Sequence, residues 1–224
     1  MKIIFMGPPG SGKGTYSSRI GAQKEWAHIS TGDMLRAEIK NESELGTEAK
    51  KYMDEGKLVP DELIINMLKN RIEQDDCKSG FILDGFPRTI PQAESLETVT
   101  KMDVVINLAV PEHVIIGKIL ARRTCEKCGN IYNIADITFG PNNEYRMPPL
   151  SPKVEGICDK CGGKLVSRSD ETEEIIKNRL KIYKEQTEPL VNFYKEKGLL
   201  KDVDVIGPPN VMVPKILEVL DGMN

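Results

Sequence analysis

Apolar residues along the chain fall into two rhythms. Short, mostly apolar runs occur at Lys2–Met6 (KIIFM), at Phe81–Leu83 and across Asp103–Val110 (DVVINLAV), and a more mixed one lies in LLKDVDVIG from Leu199 to Gly207. Elsewhere apolar positions recur three and four residues apart. This spacing runs through Tyr16–Glu25, Met34–Lys40, Glu44–Gln74, Pro111–Arg123, Glu171–Gly198 and Asn210–Met223. The short runs predict buried strands and the spaced segments predict helices. Gly56–Pro60 is expected to split the 44–74 segment into two helices, and a bend is expected near Pro189 in the 171–198 segment. The helix from Pro111 is expected to end in the paired Arg122 and Arg123. Strands alternating with helices predict a doubly wound α/β fold on a parallel sheet. No internal repeat or low-complexity tract interrupts this order.

Composition narrows the function. The chain has 224 residues, 39% of them hydrophobic and 29% charged, with a net charge of -3. That suits one sizeable folded core and removes a global basic field for nucleic acid or anionic lipid. An anionic ligand must therefore be held by a local Arg and Lys cluster. The opening apolar run is too short for a signal peptide or a membrane span, and no later stretch approaches one. A cytoplasmic protein with reduced thiols is expected.

The first apolar run leads into GPPGSGKGT, Gly7–Thr15, and then a helix. Strand, glycine loop and helix make the context of a phosphate-binding loop. Gly7, Gly10 and Gly12 let the backbone turn its N–H groups toward phosphate oxygens, and the helix N-terminus adds partial positive charge. Lys13 supplies a point charge for the transferring phosphate. The usual pattern has Ser or Thr after the lysine. Here Gly14 stands there and Thr15 follows, so the direct hydroxyl ligand for Mg2+ is absent or shifted. Asp84 ends the Phe81–Leu83 run, at the sheet edge where ligands bind. It can hold a water-coordinated Mg2+, or simply cap a turn. The following GFPR presents Arg88.

Two cysteine pairs stand apart from this pattern: Cys125-x2-Cys128 and Cys158-x2-Cys161, each followed by glycine and separated by 29 residues. Two such knuckles can close one tetrahedral Zn2+ site. Disulfides, a dithiol redox couple and a nucleic-acid knuckle are the competing readings. A reducing compartment, the matched pairs and the acidic residues Glu126, Asp136, Glu144, Glu155 and Asp159 weigh against them in turn. The segment between the pairs is rich in Pro, Asn and Gly and reads as extended loop. A metal would supply folding energy that so few apolar residues cannot. Cys77 has no cysteine nearby in sequence and reads as an inert thiol.

GPPGSGKGT, STGDMLR, GKLVPDEL and LDGFPRT, in this order, resemble the adenylate kinases over nearly the whole chain. Gly14 is itself usual in nucleoside monophosphate kinases. The resemblance implies a P-loop core of residues 1–29, 60–121 and 169–224, an inserted AMP-binding region at 30–59 and a zinc-stapled lid at 122–168. It implies Mg·ATP + AMP ⇌ 2 ADP, catalysed by a monomer with structural Zn2+. By the same resemblance Gly10, Ser11, Gly12, Lys13, Gly14 and Thr15 bind ATP phosphates, and Arg122, Ile131, Tyr132 and Pro209 contact ATP from the lid and the base side. Thr31, Arg36, Lys57, Leu58, Val59, Gly85, Phe86, Pro87 and Arg88 contact AMP, and Gln92 reads its adenine edge. Arg168 and Arg179 close over both phosphate chains. The catalytic set implied is Lys13, Asp84, Arg88, Arg122, Arg168 and Arg179. Two departures stand out. Lys118 occupies a place where some members carry arginine, and the lid loop is longer than usual by about a dozen residues, at a closure cost that grows only logarithmically. A UMP or CMP kinase, a GTP:AMP phosphotransferase, a plain P-loop ATPase and a zinc-knuckle nucleic-acid-binding protein are the alternatives at this point.

Overall fold

A computed structural model describes residues 1–223. Five parallel strands form its centre: β1 (Lys2–Met6), β2 (Ala27–Ser30), β3 (Phe81–Asp84), β4 (Val104–Ala109) and β10 (Leu200–Asp204), in the order β10-β4-β1-β3-β2. Parallel strands need crossover connections, and here helices supply them. α1 (Lys13–Lys24) follows β1, α5 (Ile90–Val99) follows β3, α6 (Glu112–Leu120) follows β4 and α9 (Pro209–Asp221) closes the chain. Ile3, Ile4, Ile82, Leu83, Val104, Val105 and Ile106 are fully buried. Their unbroken apolar runs reflect a sheet covered on both faces. The predicted α/β class is therefore what the chain adopts.

Between β2 and β3 the chain makes α2 (Thr31–Lys40), α3 (Glu44–Asp54) and α4 (Asp61–Ile72). Ser30 caps α2 by accepting from the Asp33 N–H at 3.3 Å, and Ser43 caps α3 by accepting from Gly46 N–H at 2.9 Å. The expected break at Gly56–Pro60 separates α3 from α4. β2 was not legible from periodicity: AHIS is only four residues long, and its strand character comes from pairing with β3.

Among the described residues, the antiparallel pairing lies within 122–166. β5 (Arg122–Cys125) pairs with β6 (Ile131–Asn133) and β9 (Leu165–Val166), while β7 (Ile137–Phe139) and β8 (Tyr145–Met147) form a separate hairpin. This corrects two expectations. The helix from Pro111 stops at Leu120, and Arg122 and Arg123 open a strand, because their backbone pairs with Asn133 and Tyr132. The inter-cysteine loop is likewise a hairpin in part.

The 171–198 segment forms α7 (Glu173–Ile182), one wider π-type turn at Tyr183–Thr187, and α8 (Pro189–Glu196). Pro189 cannot donate to the helix ladder, and the Glu188 N–H reaches back to the Tyr183 carbonyl at 2.8 Å. The expected bend is this wider turn. Among the described residues no helix is long and apolar enough to cross a membrane.

Candidate active site and metal centre

A cavity of about 660 Å³ opens at the carboxyl ends of the parallel strands. The loop after β1 forms its floor. Gly10 has φ +80°, and a Cβ there would meet Ile119 Cγ1 of α6 at 2.6 Å, so only glycine fits this approach. Lys13 opens α1, and its Nζ donates to the carbonyls of Gly7 (2.7 Å) and Pro8 (2.9 Å). Ser11 is fully buried beneath the loop with an unpartnered hydroxyl and does not line the cavity. The other residues predicted for the nucleotide site all do, as does Cys128 of the four paired cysteines.

Gly14 answers to space rather than to torsion. A Cβ there would stand 3.0 Å from Asp84 Oδ2. The missing hydroxyl thus leaves room for a carboxylate delivered by β3. Asp84 Oδ2 also lies 3.6 Å from His28 Nε2. Ser17 Oγ donates to the Lys13 carbonyl at 2.6 Å, so it accepts from His28 Nε2 at 2.9 Å. That assigns the proton to the ring nitrogen nearest Asp84.

Basic groups converge on the cavity from separate elements: Lys13 from α1, Arg36 from α2, Arg88 from the loop after β3, Lys118 from α6, Arg122 from β5, Arg168 beyond β9 and Arg179 from α7. Burial pushes Lys13 down to about 7, opposed by Asp84 and reinforced by Arg88, Arg179 and Arg122. Burial and Arg179 push Arg88 down to about 10; burial and Arg36 do the same to Arg168. Arg179 is lowered chiefly by burial. Lys118 falls to about 8 through burial and the neighbouring Arg122, and has no carboxylate partner among the described residues. A cavity that disfavours its own cations is built to receive anions.

Carboxylates hold the arginines in place. Arg122 pairs with the buried Glu171 in an ion contact without hydrogen-bond geometry. Arg179 pairs with Asp170 at 3.1 Å, and Asp33 takes Arg36 at 2.5 Å and Arg168 at 3.7 Å. Thr187 of the π-type turn donates to the Arg88 carbonyl at 2.8 Å. Sequence reasoning missed His28, Asp170, Glu171 and Thr187 as site residues. Each acts through a partner distant in sequence, so no local motif marks it.

Leu58, Val59, Gly85, Phe86, Pro87 and Gln92 line the cavity as well. Phe86 is 1% exposed and packs into the core as well. Gln92 is equally buried. Its Oε1 accepts from Arg88 N–H at 2.7 Å and its Nε2 donates to Asp61 at 2.5 Å, which leaves one N–H and one lone pair free. Thr31 donates to the Gly85 carbonyl at 2.9 Å, and Lys57 forms an exposed pair with Glu55.

The four paired cysteines meet in one cluster. Their Sγ atoms all lie within 4.8 Å of one another and could hold a metal ion. Gly129 (φ +72°) and Gly162 (φ +69°) turn each knuckle, donating to the carbonyls of Cys125 and Cys158. Tyr132 lines the cavity and also reaches this cluster: its hydroxyl lies 3.6 Å from Cys158 Sγ and accepts from Asp159 N–H at 2.7 Å. Cys77 is buried beside Arg71 and Asp76, far in sequence from the cluster.

A glycine loop at a helix N-terminus, a lysine within it and arginines drawn from five further segments define a P-loop phosphotransferase of the nucleotide kinase class. A family profile described as "Adenylate kinase" matches residues 5–199. The "Adenylate kinase" of Lachnospira eligens is 47% identical over 98% of this chain and 100% of that protein. Those of Archaeoglobus fulgidus (47%; 91% of this chain, 90% of that protein) and Caldicellulosiruptor saccharolyticus (49%; 89% of each) are similarly related. The chain belongs to the adenylate kinase family of ATP:AMP phosphotransferases.

Proposed function

We propose that this cavity carries out Mg·ATP + AMP ⇌ 2 ADP with ATP on the phosphate-loop side and AMP against Arg36, Arg88 and the 57–59 segment. The convergence of Lys13, Arg36, Arg88, Arg122, Arg168 and Arg179 on one cavity carries this reading. Phosphoryl transfer needs in-line positioning and charge neutralisation more than covalent help. Lys13 and the arginines neutralise the crowded phosphates, and no side-chain nucleophile takes part. The backbone N–H groups of Gly10, Gly12, Gly14 and Thr15 cradle the donor phosphates, with Ser11 shaping the loop from below. Ile131 and Pro209 line the donor side, and Thr31, Leu58, Val59, Gly85 and Gln92 the acceptor side. Mg2+ arrives with ATP; Asp84 orients water on it, and Gly14 leaves that carboxylate its room.

Residues 30–59 and 122–168 act as two pieces that close over the substrates and exclude water. Contacts between them support this: Arg168 with Asp33, and Lys40 Nζ with the Glu126 carbonyl at 3.5 Å. The cysteine cluster holds structural Zn2+. Four thiolates on one Zn2+ stand about 3.8 Å apart, and here Cys125–Cys161 and Cys128–Cys158 lie at 3.4 and 3.6 Å. The donor set is soft and complete, so the metal staples the lid and leaves no open position for substrate. The protein works as a cytoplasmic monomer, since one chain supplies every group the site needs.

Supplying ADP and Mg2+ as the only nucleotide and metal tests the reading. ATP and AMP are expected in equal amounts. No disproportionation by folded, metal-loaded protein would refute it and send the search to UMP, CMP and GMP as acceptors.

A further inference from the structure

The β7–β8 hairpin lies in the long loop between the two cysteine pairs, and its sequence alternates strictly. Ile137 and Phe139 face one side with Tyr145 and Met147, while Thr138 and Arg146 face solvent with Asp136. Arg146 forks onto Asp136 across the polar face, Nε–Oδ1 at 2.9 Å. A two-stranded ribbon is not stable alone and must cover its apolar face. The lid does not do so. The lid's own buried cluster is Cys125, Tyr132, Cys158 and Leu165, and it excludes the hairpin. Phe139 and Met147 instead join the buried cluster of the parallel core, which also includes Met212 and Val213 of α9.

The hairpin's two apolar cross-strand pairs divide the work. Phe139 and Tyr145, with ring centroids 5.5 Å apart, sit away from the cavity and anchor the ribbon. Ile137 and Met147 pair directly and line the cavity. Ile137 Cδ1 would be 3.3 Å from a Cβ on Gly117, so the ribbon lies close along α6. Pro208 and Pro209, at the start of α9, line the same cavity. This is the side on which the phosphate loop would extend a donor nucleotide toward its base.

We infer that the inserted hairpin is a wall of the donor-base subsite, with Ile137 and Met147 as positioning residues that clamp the flat face of the base against the Pro208–Pro209 side. The inference rests on the donor assignment proposed above. An isoleucine and a thioether offer no hydrogen-bond code, so this wall holds an aromatic base by its face rather than its edges. It contributes to donor binding and not to phosphate or acceptor binding.

The test compares two donors' affinities, ATP and inorganic tripolyphosphate, which has the phosphates without a base. Proteins are the full metal-loaded chain, Ile137→Ala, Met147→Ala and the exposed-face control Thr138→Ala. Ile137 is only half-buried, so Ile137→Ala keeps the test valid if Met147→Ala misfolds; melting and bound-metal content check both. Expected is a loss of ATP affinity of about tenfold in the two wall variants, with tripolyphosphate affinity, AMP affinity and the Thr138→Ala protein unchanged. Equal losses for ATP and tripolyphosphate would overturn the inference, because the hairpin would then act on lid closure as a whole. So would unchanged ATP affinity. ADP disproportionation by the unmodified protein is measured first. If present, the donor reading stands whatever the affinity split shows; if absent, that reading falls and the inference with it.

Discussion

Gly14→Ala separates stability from catalysis, because the structure gives the two effects opposite signs. Gly14 is the second residue of α1 and its backbone is ordinary helix. Alanine there relieves the conformational freedom of glycine, a gain of up to about 1 kcal/mol in a helix interior and less in a first turn. In a chain of this size such a gain raises Tm by about 2–4 °C at most. The new methyl would stand 3.0 Å from Asp84 Oδ2, whereas ordinary contact begins near 3.4 Å. Asp84 must retreat by a few tenths of an ångström, away from the position that would hold Mg2+ water. The other neighbour, Ile131 Cδ1 at 4.0 Å, offers no obstacle. Since a misplacement of about 1 Å costs on the order of a hundredfold in rate, a loss of about tenfold in kcat is expected. The assay pairs thermal melting with ADP disproportionation over a range of Mg2+ concentrations. A protein that melts at the same temperature or higher and turns over more slowly is the expected result. Unchanged kcat at every Mg2+ concentration would refute the account of Gly14 as room for Asp84.

Three further outcomes follow from the same geometry. Lys13 sits near 7 in the free site against an ordinary 10.5, and donor phosphates restore its charge; ATP binding at pH 8 should therefore take up protons, with affinity falling as pH rises through 7, as calorimetry in buffers of different ionisation enthalpy would reveal. For folding, the unfolded chain keeps that proton longer than the native one, so the unfavourable contribution of Lys13 is full below about 7 and fades as pH rises toward 10.5. Glu171→Gln strips the buried partner from Arg122 and should destabilise the free protein by about 3 kcal/mol; a non-hydrolysable ATP analogue should recover part of this, giving a larger ligand-induced Tm shift than in the unmodified protein, and equal shifts would count against the pairing. Cys158→Ser, or chelation, should remove the bound metal and lower Tm by about 10 °C while chemistry at low temperature survives; loss of catalysis with an unchanged melt would mean the metal is not structural.

Several features were legible because they are local. The glycine loop, the break at Gly56–Pro60 and the largely apolar strands each depend on neighbours in sequence, and backbone sterics or burial on both sheet faces leave a direct pattern. The cysteine knuckles are legible for the same reason, since each pair and its glycine form one turn. Misreadings came where a distant partner decides. Arg122 and Arg123 continue the rhythm of a helix, yet pairing with residues 132–133 draws them into a strand. Tyr132 lines the cavity, but its hydroxyl goes to the Asp159 N–H and the Cys158 thiol, partners the local sequence does not mark.

The sequence alone determined the α/β class, the glycine loop, the cations that line the cavity and the four cysteines whose thiols cluster. Only the tertiary structure decided which carboxylate holds which arginine, why position 14 must lack a side chain, and where the long lid loop rests. Those outcomes depend on contacts between Gly14 and Asp84, Arg122 and Glu171, and Ile137 and Gly117. Such pairs lie far apart in the chain, and distance in sequence carries no signal of approach in space. Charge and packing between separate elements set them, and these exist only once the core has closed.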